Sequence, residues 1–141
     1  MGGKGNIASI LDAVHRALVE EAVPRDRVPT PWYFPSIGEY APLLENSGLE
    51  VTFMHLFDRP TPLDACPEGI ADWVRMFGAD FLALVPPERH ERLLERVNAL
   101  ARPTLFRDGR WMADYRRLRF VAVKDPAFER DAELRPVRRL S

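Results

Sequence analysis

The sequence is most informative first through what it has little of. One cysteine, Cys66, in 141 residues can build neither an internal disulfide nor a thiolate metal site. The three histidines, His15, His55 and His90, include no pair at metal-ligand spacing, so no metal is expected. His15 and His90 read as solvated, and His55 as a partly buried strand residue. Serine occurs only as Ser9, Ser36, Ser47 and Ser141, none of them in a nucleophile-elbow setting. No glycine-rich loop of the dinucleotide or P-loop type is present. Gly2-Gly3-Lys4-Gly5 ahead of a helix reads as a flexible entry turn or a small anion nest. No apolar run approaches the roughly 18 to 20 residues that span a bilayer. The opening Met1-Gly-Gly-Lys-Gly-Asn-Ile lacks the basic patch and apolar stretch of a secretory signal. Charge of one sign is also missing: 20 basic against 21 acidic side chains give a net of -1, which argues against a nucleic-acid partner. A soluble, cytoplasmic protein without a membrane partner is the expectation. Lysine is almost absent, two against eighteen arginines, a skew that GC-rich coding produces without any functional cause.

What is present is one domain's worth of chain, 46% hydrophobic and 29% charged. A first helix is expected from Asn6, as N-cap, to about Ala22, with Ile7, Ile10, Leu11, Val14 and Leu18 inward. Residues 23–35 hold four prolines and the run Trp32-Tyr33-Phe34, a loop whose aromatics pack beneath it or line a pocket. Ser36-Ile-Gly-Glu39 is a capping box opening a short helix through Tyr40, Leu43 and Leu44, which Gly48 closes. Leu49–Phe57 alternates as a strand, with Leu49, Val51, Phe53, His55 and Phe57 on one face. Ile70, Trp73, Val74 and Phe77 share a helix face, Gly78 interrupts, and Phe81–Val85 continues apolar to Pro86-Pro87. A helix from Glu88 to Ala101 follows, its mixed-charge outer face suited to solvated ion pairs, and Arg102-Pro103 ends it. Phe106-Arg-Asp-Gly-Arg-Trp111 reads as a tight turn. A second strand is expected over Asp114–Lys124. The polar stretch 125–141 reads as a disordered tail, leaving 1–124 as the folded unit.

Two strands with three to four helices make an incomplete sheet, because a pair of strands alone is marginal. The second strand wants a neighbour that the preceding sequence does not obviously provide.

Several segments together resemble the C-terminal half of class I S-adenosylmethionine-dependent methyltransferases, in the branch similar to trans-aconitate methyltransferases. They are Gly2-Gly-Lys-Gly-Asn-Ile7, Phe34-Pro-Ser-Ile-Gly-Glu-Tyr40, Leu44-Glu-Asn-Ser-Gly-Leu-Glu-Val51, Arg59-Pro-Thr-Pro-Leu63, Trp73-Val-Arg-Met-Phe77 and Asp108-Gly-Arg-Trp-Met-Ala-Asp-Tyr-Arg-Arg-Leu-Arg119. The resemblance implies an α/β fold, the C-terminal part of a Rossmann-like seven-stranded sheet. Gly2-Gly3 would follow the fifth strand, Leu49–Phe57 would be the sixth, and Asp114–Lys124 the reversed seventh, inserted between them. Residues 68–101 would cover the substrate side. S-adenosylmethionine is the implied cofactor, with in-line attack on its methyl group by a small-molecule acceptor. Its glycine-rich motif and ribose-binding acid would lie upstream, so no cofactor-binding residue is expected in this chain, which would be inactive alone. Trp32, Tyr33, Tyr40, Arg59, Trp73, Asp114 and Tyr115 are the substrate-side residues the resemblance implies. Each also fits a plain structural role: core packing for Trp73 and Tyr40, a strand end for Arg59, a local ion pair with Arg116 or Arg117 for Asp114. The competing expectation is a non-catalytic module that pairs through an open sheet edge, with a copy of itself or with a chain carrying the missing half. A third is a free-standing α+β fold whose proline-rich loop binds a peptide or small ligand.

Overall fold

The computed structural model describes residues 1–124, and the stretch expected as a disordered tail lies outside the described residues. In chain order the elements are α1 (Ala8–Glu20), α2 (Ile37–Asn46), β1 (Leu49–Asp58), β2 (Thr61–Pro62), α3 (Ile70–Phe77), α4 (Ala79–Leu82), α5 (His90–Leu105), β3 (Phe106–Arg107), β4 (Arg110–Ala113) and β5 (Arg116–Lys124). The fold is α/β, as the sequence implies, with one more helix than expected because Gly78 splits α3 from the single turn of α4.

α1 buries Ile10, Ala13, Val14, Ala17 and Leu18 against α5, which returns Leu93, Leu94 and Val97. Two forked ion pairs clip the same helices together at the rim. Arg92 donates to both oxygens of Glu21 at 2.9 and 2.6 Å, and Arg96 to both of Glu20 at 2.6 and 2.8 Å. Those hydrogen bonds hold both carboxyls below the usual range. The charges of α5 thus serve the helix pair, not only α5 itself. The helix runs past Pro103 to Leu105, beyond the expected stop at Ala101. Proline there forfeits one hydrogen bond near the helix end, and buried Leu105 keeps the last turn docked.

Asn6 is not the N-cap. Its Oδ1 accepts the Arg116 N–H at 2.7 Å, while Asp114 Oδ2 accepts the Ser9 N–H, also at 2.7 Å. Asn6 is buried, and the backbone of β5 claims its oxygen, so a carboxylate from the far end of the chain caps α1 instead. The capping box of α2 is present as read: the Glu39 N–H donates to Ser36 Oγ at 3.2 Å, and the Ser36 N–H to Glu39 Oε2 at 2.7 Å.

β1 and β5 pair antiparallel from Leu49 opposite Lys124 to Asp58 opposite Arg116, with a bulge between Val51 and Phe53. The bulge corrects the expected strand faces. One extra residue shifts the alternation by one, so Leu49 and Val51 share a side with Met54 and Leu56, beneath α2. Phe53, His55 and Phe57 lie on the opposite side, where Phe53 and Val121 are about half exposed at 48% and 51%. His55 is accordingly exposed and stacks on Phe57 at 4.9 Å, not partly buried. The other edge of β5 is met by residues 1–3: Leu118 N–H donates to the Met1 carbonyl at 3.0 Å, and Gly3 N–H to the Arg116 carbonyl at 2.9 Å. This close approach needs glycine, since a Cβ on Gly3 would strike Leu56 Cδ1 and sit 3.0 Å from Leu118 Cβ. The last strand therefore lies between residues 1–3 and β1, and its neighbour is supplied from within the chain.

The expected strand from Asp114 begins two residues later, at Arg116. β3 and β4 form a hairpin on Asp108-Gly109, with φ 50 and 74° as a type I′ turn needs. β4 also pairs with β2.

His15 is half-buried, edge-on to Phe81 at 6.2 Å between ring centroids, and not on a solvated face. His90 is half-buried as well, its Nε2 3.1 Å from the Val85 carbonyl. Burial foremost, then Arg25, holds the His15 imidazole below its ordinary 6.5. The unfolded chain then binds the proton more readily than the folded one. Stability should fall as pH drops from about 6.5 toward the lower folded value and then level off for this group. Urea midpoints measured from pH 7.5 to 5 should show the slope, and His15→Gln should flatten it.

Candidate functional site

The loop after α1, the start of the chain, α3 and the Asp114-Tyr115 bend converge on an aromatic cavity of about 230 Å³. α3 brings Trp73, which is buried, and Phe77, which is 55% exposed. Their rings lie 5.3 Å apart. The proline-rich loop adds Trp32 and Phe34, whose rings stack at 6.2 Å, and Trp32 tilts onto Trp73 at 5.8 Å. Such ring pairs, tilted or offset, hold each other in place. Prolines on both sides of the run restrict the loop, so its rings lose little freedom on docking. Trp73 Nε1 donates to the Tyr115 hydroxyl at 3.1 Å, which satisfies the indole and orients the phenol at the rim. Gly2, Asn6 and Arg117 also line it, and the Arg117 guanidinium carbon lies 4.8 Å from the Tyr115 ring centre.

Three of the seven substrate-side residues, Trp32, Trp73 and Tyr115, meet in this cavity. Arg59 lines a neighbouring one of about 380 Å³ that shares Arg117. Tyr33 is 59% exposed, in neither cavity. Tyr40 packs on Phe120 at 5.4 Å, on the side of the sheet that α2 covers. Asp114 makes no ion pair with Arg116 or Arg117. It caps α1, its Oδ1 is buried without a hydrogen-bond partner, and it borders two further grooves of about 650 and 420 Å³. Arg116 pairs with Asp58 at 3.2 Å.

The cavity also uses residues that the sequence did not single out as site residues. Phe34 belongs to the same aromatic run, and Phe77 to the helix face read as core. Arg117 carried a usable signal, since arginine at 117 and 119 alternates with apolar 118 and 120 along a strand. An aromatic wall with polar groups beside it can bind and desolvate a flat or apolar portion of a small molecule. Cys66 is buried, and burial pushes its thiol up, away from a reactive thiolate. Among the described residues no cluster of three or more His, Cys, Asp or Glu has metal-binding geometry, and no helix is long and apolar enough to cross a membrane.

No family model matches the chain. The chain is 30% identical over 127 residues to the uncharacterized methyltransferase C70.08c of Schizosaccharomyces pombe. The match covers 88% of this chain and 47% of that protein, so the chain spans about half the length of the relative it matches.

Proposed function

We propose that this chain is the substrate-side part of a small-molecule S-adenosylmethionine-dependent methyltransferase of the cytoplasm, inactive without a cofactor-binding part. The observation that carries the proposal is the placement of β5. It is a reversed strand between residues 1–3 and β1, with the aromatic cavity built beside residues 1–3. The similarity to a protein named as a methyltransferase over most of this chain supports it. The resemblance places the family's glycine-rich cofactor motif and ribose-binding acid outside the described residues. The share of the work assigned to this chain is therefore the acceptor's. Trp32, Phe34, Trp73 and Phe77 would exclude water from it, and Tyr115 and Arg117 would orient its polar end.

The test is a fusion that places, ahead of residue 2, the portion of the yeast relative outside the match. The 141-residue chain should show no S-adenosylmethionine binding by calorimetry, and the fusion should bind it in the micromolar range. A fusion that unfolds cooperatively yet binds no cofactor would refute the methyltransferase proposal. Micromolar binding by the chain alone would refute its inactivity.

A second function, pairing with a copy of itself or a partner chain, is favoured by one feature. The outer edge of β1 has no strand beside it among the described residues, and the face bearing Phe53, Val121 and Val123 is open. Sedimentation across a concentration range should then show self-association, and a monomer throughout would exclude the self-pairing form.

A further inference from the structure

A groove of about 650 Å³ runs along one face of the second sheet, β2-β4-β3. Cross-strand pairs pave it. Arg107 stands opposite Arg110 and Pro62 opposite Met112, and the same register carried one step further sets Pro60 beside Asp114. Arg110, Met112 and Asp114 are two apart along the chain and therefore share this face. Trp111 turns the other way, onto Phe106. The last turn of α5 and the start of α1 form the walls, through Leu105 and Ser9. Residues 1–3 pair antiparallel with 116–118, so any chain ahead of Met1 runs on beside Arg119 and the residues after it, away from this groove. The two ends of the groove differ in charge. Arg107 and Arg110 are exposed like charges directly opposite each other, an arrangement that weakens a bare strand pair. Neither forms an ion pair among the described residues, with Asp108 at the turn or with any other acid. Arg107 donates through Nε to the Thr104 carbonyl at 3.2 Å, which steadies its plane and leaves its terminal nitrogens unused. At the other end, about 13 Å along the strand, stands the Asp114 carboxylate. Its Oδ2 accepts the Ser9 N–H, and its Oδ1 has no hydrogen-bond partner. Between the ends the surface is apolar.

We propose that this groove binds a small monocarboxylate with an apolar chain or ring. Guanidinium groups stay charged at any physiological pH. Arg107 and Arg110 with Asp108 leave one surplus positive charge at that end, which matches a single negative charge. The planar fork of arginine fits a carboxylate, so two facing forks can share one. The remainder of the molecule then lies along Met112, Pro62 and Pro60, where its apolar surface leaves water. Asp114 repels a second carboxylate, so the acid end belongs at the arginines and the molecule has one orientation. The groove shares no lining residue with the aromatic cavity. This binding does not rest on the methyltransferase proposal.

The experiment uses the 141-residue chain with no cofactor. Octanoate, octanol and acetate are titrated separately while the Met112 methyl and the Arg107 and Arg110 Nε–H signals are followed by NMR. Octanoate should shift all three together and saturate with a Kd below about 1 mM. Octanol lacks the charge and acetate lacks the apolar body, so each should bind at least about tenfold more weakly. Arg107→Gln combined with Arg110→Gln should weaken octanoate binding at least about tenfold and leave octanol binding unchanged. Octanol binding as tight as that of octanoate would overturn the proposal in the parent chain alone. So would octanoate that leaves the Met112 methyl unshifted, or that binds the double variant with unchanged affinity. None of these results depends on whether the fusion described above binds cofactor.

Discussion

Phe81→Ala should lose about 3–5 kcal/mol of folding free energy, the largest single loss expected in this chain. Phe81 is fully buried at 0% exposure. It receives the edge of His15 and the tilted ring of Trp32 at 5.9 Å. It therefore joins α1, the proline-rich loop and the α3–α4 corner in one contact set. Truncation leaves a hollow that three separate elements would have to move to fill, so little relaxation is available. Against a domain stability of about 5–15 kcal/mol, the variant should sit near its unfolding threshold at 37 °C. Phe81→Leu keeps most of the volume and should cost less than about 1.5 kcal/mol. Urea denaturation of the two variants and the parent measures both, and a loss below 1 kcal/mol for alanine would show that Phe81 is not the keystone described.

The second large effect is expected at Gly69, the residue before α3. Its φ of 73° and ψ of -133° lie in a region essentially closed to residues with a Cβ, a cost of about 1–3 kcal/mol. A Cβ there would also run into the Trp111 indole, and overpacking of that kind adds about 1–3 kcal/mol. Gly69→Ala should lose at least about 2 kcal/mol in all. The two causes can be separated. In Gly69→Ala with Trp111→Leu the steric part should be relieved and the backbone part should remain, giving a coupling energy between the sites. Full additivity in that cycle would mean that the indole is not the obstacle. Trp73 begins one helical turn after Gly69, so Gly69→Ala should also disturb the aromatic cavity, visible as a changed Trp fluorescence before any unfolding.

Local signals were legible in the sequence. The Ser36–Glu39 capping box, the Asp108-Gly109 turn, the apolar stripes of α1 and α5 and the break at Gly78 each depend on neighbours within a few residues. What was not legible depends on distant partners. The faces of β1 follow from a bulge at Thr52, and only the pairing with β5 reveals it. Asn6 has every property of an N-cap, yet Arg116 takes its oxygen and Asp114 does the capping. Pro103 has the look of a helix stop, and buried Leu105 overrides it. For the site, Trp32, Trp73 and Tyr115 come from three segments and meet because α3 folds back over the loop. Tyr33 and Tyr40, with the same chemistry, are directed elsewhere by the alternation of their own segments. The arginines at 117 and 119 were visible as letters, but their lack of acidic partners among the described residues is a property of the assembled sheet.

The crossed hydrogen bonds from Asn6 to Arg116 and from Ser9 to Asp114 join positions 110 and 105 residues apart. Closing a loop of that length carries a large entropic cost before any contact rewards it, and topologies of this kind fold slowly. During synthesis the start of α1 emerges before residues 114–116 and must wait, uncapped, until they leave the ribosome. Until then its apolar stripe and the unpaired N–H groups of its first turn are open to other chains. The same bonds that finish the unit thus make its first helix the segment most in need of a chaperone while translation is under way.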